Sequence, residues 1–110
     1  MERLVKGDVV VLPFPFSDMS NSKKRPAFVL AKLPGEDIIL CMITSAVKTD
    51  NYSITLNDND FESGTLRKNS NIRPNRIFTA DKSLILYKVG HLKNDKIDEV
   101  ENKLVNILTG

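Results

Sequence analysis

The stretch Lys23-Lys24-Arg25-Pro26-Ala27-Phe28-Val29-Leu30, followed across a Pro34-Gly35 turn by Ile38-Ile39-Leu40-Cys41-Met42-Ile43-Thr44-Ser45, decides how this chain folds. Its two apolar runs, Ala27 to Lys32 and Asp37 to Ile43, read as the central strands of a sheet, and the proline-glycine pair between them signals a hairpin. Pairing about that turn puts Arg25 at the start of one strand and Thr44 and Ser45 at the end of its partner, near the same rim. A guanidinium and a hydroxyl so placed can act on one phosphate group.

On the N-terminal side, Gly7-Asp8 precedes Val9-Val10-Val11-Leu12, a β-branched run with no room for a helix before Pro13 and Pro15. This is the first strand. The polar segment Ser17 to Lys24 reads as a loop. On the C-terminal side, Asp50 to Gly64 is acidic, and the alternation Tyr52, Ile54, Leu56 predicts a short edge strand. Ser70 to Thr79 mixes strand formers with Pro74, which belongs at an edge, a bulge or a strand start. Leu84 to Val89 supplies one more strand, ending at Gly90. Asn94 then caps a helix whose Ile97, Val100, Leu104 and Leu108 form one apolar stripe, closed by Gly110. The class is therefore mainly β with a C-terminal helix: five or six short strands in a bent antiparallel sheet or partly open barrel.

A chain of 110 residues holds one domain, 1–110, with a single core. No run approaches the roughly eighteen apolar residues of a membrane span, and Met1 to Gly7 carries no export signal, so a cytoplasmic protein is expected. One cysteine and one histidine are too few for a Cys/His zinc site, and Cys41 reads as a buried, inert thiol. The net charge of +2 is unevenly spread. Lys and Arg against Asp and Glu number six to three in residues 1–34, one to six in 35–65, five to one in 66–83 and four to four in 84–110. Two basic segments meeting on one face would attract a phosphate backbone, although charge runs are also ordinary solvated surface.

Gly7-Asp8-Val9-Val10, a polar loop, Lys24-Arg25-Pro26-Ala27 with its apolar strand, a strand ending in Thr44-Ser45, an Arg-rich segment ending in Asp81-Lys82 and a terminal helix occur here in one order. In that order and spacing the chain resembles the MazF/PemK (Kid) toxins of type II toxin–antitoxin systems. The resemblance implies a small SH3-like barrel of the MazF/PemK/CcdB type, a homodimer, sequence-selective and metal-independent cleavage of single-stranded RNA with no cofactor, and inhibition by a cognate antitoxin. It puts Arg25 and Thr44 at the family's site positions. Arg73 and Asn75 stand where some members carry an Arg-x-Asp pair, so Asn75 is a departure, and the first-loop histidine of those members has no counterpart.

RNA cleavage of this kind uses the 2′-hydroxyl as nucleophile and leaves a 2′,3′-cyclic phosphate or 3′-phosphate and a 5′-hydroxyl. A fixed guanidinium suits the charge that grows on the phosphorane oxygens, which makes Arg25 the candidate against the plainer reading of a solvated arginine. Thr44 can hold a phosphate oxygen or the attacking hydroxyl, or serve only as a strand former. Secondary catalytic candidates are Ser45, Arg73, Asn75 and, as a base, Asp18, which otherwise reads as a turn residue. Without a tuned base about 10²- to 10⁴-fold in rate is forgone, so a slow enzyme is expected. Lys23, Lys24, Arg67, Lys68, Arg73 and Arg76 are candidate phosphate contacts. Phe16 and Phe78, with Phe14, are candidates for stacking on bases, although one of Phe14 and Phe16 should be core, as should Phe28. His91 is expected to pack at the strand–helix junction.

Two other readings share the scaffold. A CcdB-like toxin would poison DNA gyrase through its terminal helix, but Asn102 to Gly110 lacks the Trp-Gly-containing ending looked for there, and the chain has no Trp. A noncatalytic SH3-like RNA-binding module is the other, if Asn75 marks decay of the site.

Overall fold

Val9 and Val10, or Phe28 and Val29, point in opposite directions along their strands, yet all four are buried. Burial on both faces accounts for the continuous apolar runs that replace the alternation of a one-sided sheet. The computed structural model describes residues 3–14, 23–46 and 50–110. Its strands are β1 (Asp8–Phe14), β2 (Lys23–Lys32), β3 (Asp37–Thr44), β4 (Ile54–Leu56), β5 (Phe61–Gly64), β6 (Ser70–Asp81) and β7 (Tyr87–Leu92), followed by helix α1 (Asn94–Thr109). They form one seven-stranded sheet in the order β4-β6-β3-β2-β1-β7-β5, every neighbouring pair antiparallel, bent into a half-barrel.

The two faces of the sheet have separate cores. One gathers Val9, Phe28, Cys41, Ile43, Ile72 and Leu92 with Ile97 and Val100 of α1. The other gathers Val10, Leu12, Val29, Ile38 and Leu40 with Leu4 and Ile85. Cys41 is buried, and desolvation pushes its thiol up to about 12, so it stays protonated and inert at neutral pH. No described helix is long and apolar enough to cross a membrane.

Several expected boundaries move. Leu84 does not begin a strand: Lys82–Leu84 is a 3-10 turn, capped by the Asp81 carboxylate accepting from the Ser83 N–H at 2.8 Å. Of Leu84, Ile85 and Leu86 only Ile85 is buried. The last strand starts at Tyr87 and runs through Gly90 to Leu92 instead of ending at Gly90. Asn94 is the first residue of α1 and not its cap; Lys93 holds the cap position without a side-chain hydrogen bond. The helical stripe is half covered, since Ile97 and Val100 are buried, Leu104 packs against the first core, and Leu108 is 71% exposed.

β5 was not expected at all. It docks on β7 through Phe61↔Leu92 and Gly64↔Gly90. A Cβ on Gly90 would sit 2.2 Å from the Ser63 carbonyl oxygen and 2.9 Å from Gly64 Cα, backbone atoms that cannot step aside. Gly90→Ala is therefore expected to cost about 1–3 kcal/mol, read as a lowered urea midpoint.

Candidate functional site

The hairpin puts the predicted arginine and threonine in phase. β2 pairs with β3 as far as Ala27↔Met42, and the ladder stops beside Pro26, which has no N–H to extend it. Two residues further on each strand stand Arg25 and Thr44, so they share the face of Ala27 and Met42. Each is also held from its other side: Arg25 pairs with Leu12 of β1, and Thr44 with Asn71 of β6. Both are half-buried. The Thr44 hydroxyl accepts from the Ala46 N–H at 3.1 Å, which leaves its own proton free for an acceptor.

A cleft of about 310 Å³ opens at this end of the sheet. Arg25, Lys24, Ser45, Lys68 and Tyr87 are on its wall, over Pro26, Ile43 and Val11. Thr44 is not part of that lining. Lys23, Lys24, Lys68 and Arg67 are exposed around it or nearby in sequence, and none of these four, nor Arg25, has an ion-pair partner among the described residues. Arg67 adopts a left-handed backbone (φ 58°), its N–H bonded to the Thr65 hydroxyl at 2.9 Å, and this sharp turn brings Lys68 to the cleft.

The Arg73-Pro74-Asn75-Arg76 segment is a bulge. Cys41 pairs with Ile77 and Met42 with Arg73, so three residues of β6 have no counterpart on β3. Pro74 is thereby accommodated in one of the ways its chemistry allows. Asn75 and Arg76 are carried outward and exposed. Arg73 faces Met42, on the side of Thr44 and Asn71, and its side chain is only 12% exposed. Its Nη2 bonds the Asp50 carboxylate at 2.7 Å, while its Nε is buried without a partner among the described residues. Phe78 is half-buried against the second core. Phe16 and Asp18 lie outside the described residues, as does the Phe14 side chain.

Three residues join the picture that their sequence positions did not advertise. Asp50 accepts from the Ser53 and Tyr52 N–H groups at 2.9 and 3.0 Å as well as from Arg73. Those backbone bonds first, and the Arg73 charge with them, hold its carboxyl below the usual 3.8. A depressed folded-state pKa contributes stability above the unfolded value, lost as pH falls through the folded one. Wild type should thus lose this contribution only below about pH 4, and Asp50→Asn should flatten the fall of thermal midpoint across that acidic range. In the sequence Asp50 had been read only as the start of an acidic segment. Tyr87, 53% exposed, brings to the cleft an aromatic ring that had been read as a strand residue. Asp8, wholly buried, has its Oδ1 2.8 Å from His91 Nδ1, and this pair holds His91 beside Gly7 and Ile97 at the strand–helix junction.

The chain is thus a half-barrel sheet backed by one helix, with a cleft at one end that Lys24, Arg25 and Lys68 line. More particularly, the chain belongs to the PemK-like, MazF-like toxins of type II toxin-antitoxin systems, whose family profile matches residues 5–108. Among solved structures it is similar to a MazE-MazF complex from Deinococcus radiodurans, at 22% identity and a TM-score of 0.77 over 96% of each chain. It is similar also to MazF of the same organism, at 21% identity and a TM-score of 0.74 over 100% of both chains. A third similar structure is a mycobacterial endoribonuclease in complex with its cognate antitoxin, at 14% identity and a TM-score of 0.74 over 97% of this chain and 96% of that one. At these identities the likeness is one of fold. No curated protein sequence matches the chain.

Proposed function

We propose that this protein is an endoribonuclease toxin that cuts single-stranded RNA at preferred sequences, without a metal ion, by attack of the 2′-hydroxyl on its own phosphorus. The observation that carries the proposal is the cleft wall on which Arg25, Ser45 and Lys68 converge, with Thr44 in phase beside Arg25. A scissile phosphate there meets Arg25, whose backbone β1 pairing holds in place and whose guanidinium no carboxylate neutralises among the described residues. As the phosphorane forms, Arg25 donates to its equatorial oxygens, and Thr44 or Ser45 donates to a third. Lys23, Lys24, Arg67, Lys68 and Arg76 bind flanking phosphates, with Tyr87 and Phe78 as stacking surfaces.

Arg73, anchored by Asp50, positions charge on the same face, and Asn75 donates from the bulge. Neither can take the 2′-hydroxyl proton: an arginine stays protonated and an amide is not a base. Asp18, or water, is left for that step, hence a slow enzyme. The endoribonuclease structure similar to this one holds its antitoxin. An acidic segment laid across the cationic cleft would inhibit here by blocking the phosphates, and the active form is a homodimer in the cytoplasm.

The test is to incubate the protein in EDTA with a mixed-sequence single-stranded RNA and the matching DNA, then map cut positions and end groups. RNA cuts with 2′,3′-cyclic or 3′-phosphate ends, and intact DNA, are expected because only RNA carries the nucleophile. Cleavage of the DNA, or intact RNA at high protein concentration, would refute it.

A further inference from the structure

Beside the cationic cleft lies a second groove of opposite character. It is about 560 Å³ in volume and is lined by Asn57, Asn69 and Asn71 with Ser45, Thr55, Ser70 and the apolar Leu56, without one charged side chain. Ser45 and Ser70 line both depressions, so the two adjoin. We propose that this neutral groove reads one unpaired nucleobase of the RNA, with the three asparagines as its specificity-determining residues. The inference rests on the RNA-cleaving reading and adds to it where one base beside the phosphate is recognised.

Phosphates are bound by charge, which carries no sequence information; bases are told apart by neutral donors and acceptors at their edges. Amides are suited to that, having both on one planar group. Here their orientation is set by the fold. Asn71 donates its Nδ2 to the Ala46 carbonyl at 3.1 Å, which leaves its Oδ1 as an acceptor. Asn57 uses its Oδ1 to cap the Asp58–Asp60 turn, accepting from the Asn59 N–H at 3.1 Å, which leaves its Nδ2 as a donor. The exposed Asn69 side chain makes no hydrogen bond among the described residues. The groove thus offers one fixed acceptor, one fixed donor and one adaptable amide.

Its position ties it to the chemistry. Thr55 of β4, Asn71 of β6 and Thr44 of β3 are successive cross-strand partners on one face. Facing residues have Cβ atoms about 5 Å apart, so a base in the groove belongs to a nucleotide whose phosphate is within reach of Thr44.

The experiment uses single-stranded RNA oligonucleotides permuted one position at a time around the preferred cut. Binding and single-turnover cleavage are measured for wild type, Asn69→Ala, Asn71→Ala and Lys68→Ala, with thermal midpoints for each. Both asparagine variants should lose about tenfold to a hundredfold of discrimination at one position, while Lys68→Ala weakens all sequences alike. Asn69→Ala removes no hydrogen bond and should fold as wild type, so it keeps the test decisive if Asn71→Ala is unstable. Base preference that survives in folded Asn69→Ala, or a wild type that treats all sequences equally, overturns the groove assignment. Preference in binding that the variants lose, without any cleavage, would retain the groove and refute the nuclease. RNA left unbound by wild type would remove both.

Discussion

Arg25→Ala is expected to slow RNA cleavage about 10²- to 10³-fold, the usual result of removing one donor aimed at developing negative charge. It should leave the fold intact. Arg25 is half-buried at a strand end, pairs with Leu12 through backbone only, and has no ion pair among the described residues. Substitutions of this kind usually stay within about 0.5 kcal/mol. Arg25→Lys should recover only part of the lost rate, because an ammonium on a flexible stem keeps the charge but not the fork of donors that spans two phosphate oxygens. Single-turnover rates, with urea unfolding as control, decide the matter. A folded Arg25→Ala protein that cuts at the wild-type rate would move the catalytic assignment away from this arginine, toward Arg73 on the same face.

Asp8→Ala should be the most damaging single change to stability, about 3–5 kcal/mol, the range measured when one partner of a buried charged cluster is removed. The Asp8 carboxylate is fully enclosed. Its Oδ2 accepts from the Val5 N–H at 2.8 Å, and its Oδ1 lies 2.8 Å from His91 Nδ1 and 3.5 Å from Lys88 Nζ. Deleting it removes the partner of the Val5 N–H and of His91 Nδ1 at once. Each buried donor left unpaired costs about 1–3 kcal/mol. Against a total of about 5–15 kcal/mol this is a large fraction. The thermal midpoint should fall by some 15 °C or more, at roughly 4–8 °C per kcal/mol for a domain of this size. Asp8→Asn keeps the shape and an acceptor and should lose less. An Asp8→Ala protein within about 1 kcal/mol of wild type would show that the cluster is dispensable.

The same residues explain why Gly7-Asp8 opens the chain. Gly7 has φ of 96°, and a Cβ there would lie 2.3 Å from Ile97 Cδ1. The dipeptide that helped mark the family resemblance therefore does structural work, seating β1 against α1 and β7, away from the cleft.

Strands whose evidence is local were visible before any coordinates. β1, β2 and β3 appear as apolar runs bounded by Pro and Gly, and of the three places open to Pro74, an edge, a bulge or a strand start, the structure takes the bulge. β5 was not visible. Phe61-Glu62-Ser63-Gly64 buries one side chain and exists because Gly64 and Gly90 let two backbones approach. Leu84-Ile85-Leu86 failed the other way, since hydropathy cannot foresee that Asp81 turns the chain and leaves two leucines exposed. That Arg25 and Thr44 come in phase at one end of the hairpin was legible because a hairpin of known turn fixes the phase of its two strands. Tyr87 and Asp50 were not, because each arrives from a segment remote in sequence; Lys68 was named as a candidate phosphate contact, but its place on the cleft wall depends on the turn at Arg67.

By itself the sequence settled what depends on neighbours along the chain: the runs of β1, β2 and β3, the central turn, the amphipathic stretch of α1, and the phase shared by Arg25 and Thr44. Tertiary structure alone decided what depends on long-range pairing. The β4-β6-β3-β2 order lines up Thr55, Asn71 and Thr44, and the turn at Arg67 delivers Lys68 to the cleft. Asp50 anchors Arg73 across 23 residues of chain. Local propensity and periodicity extend over a few residues, whereas these contacts exist only once two buried faces have selected one register among many.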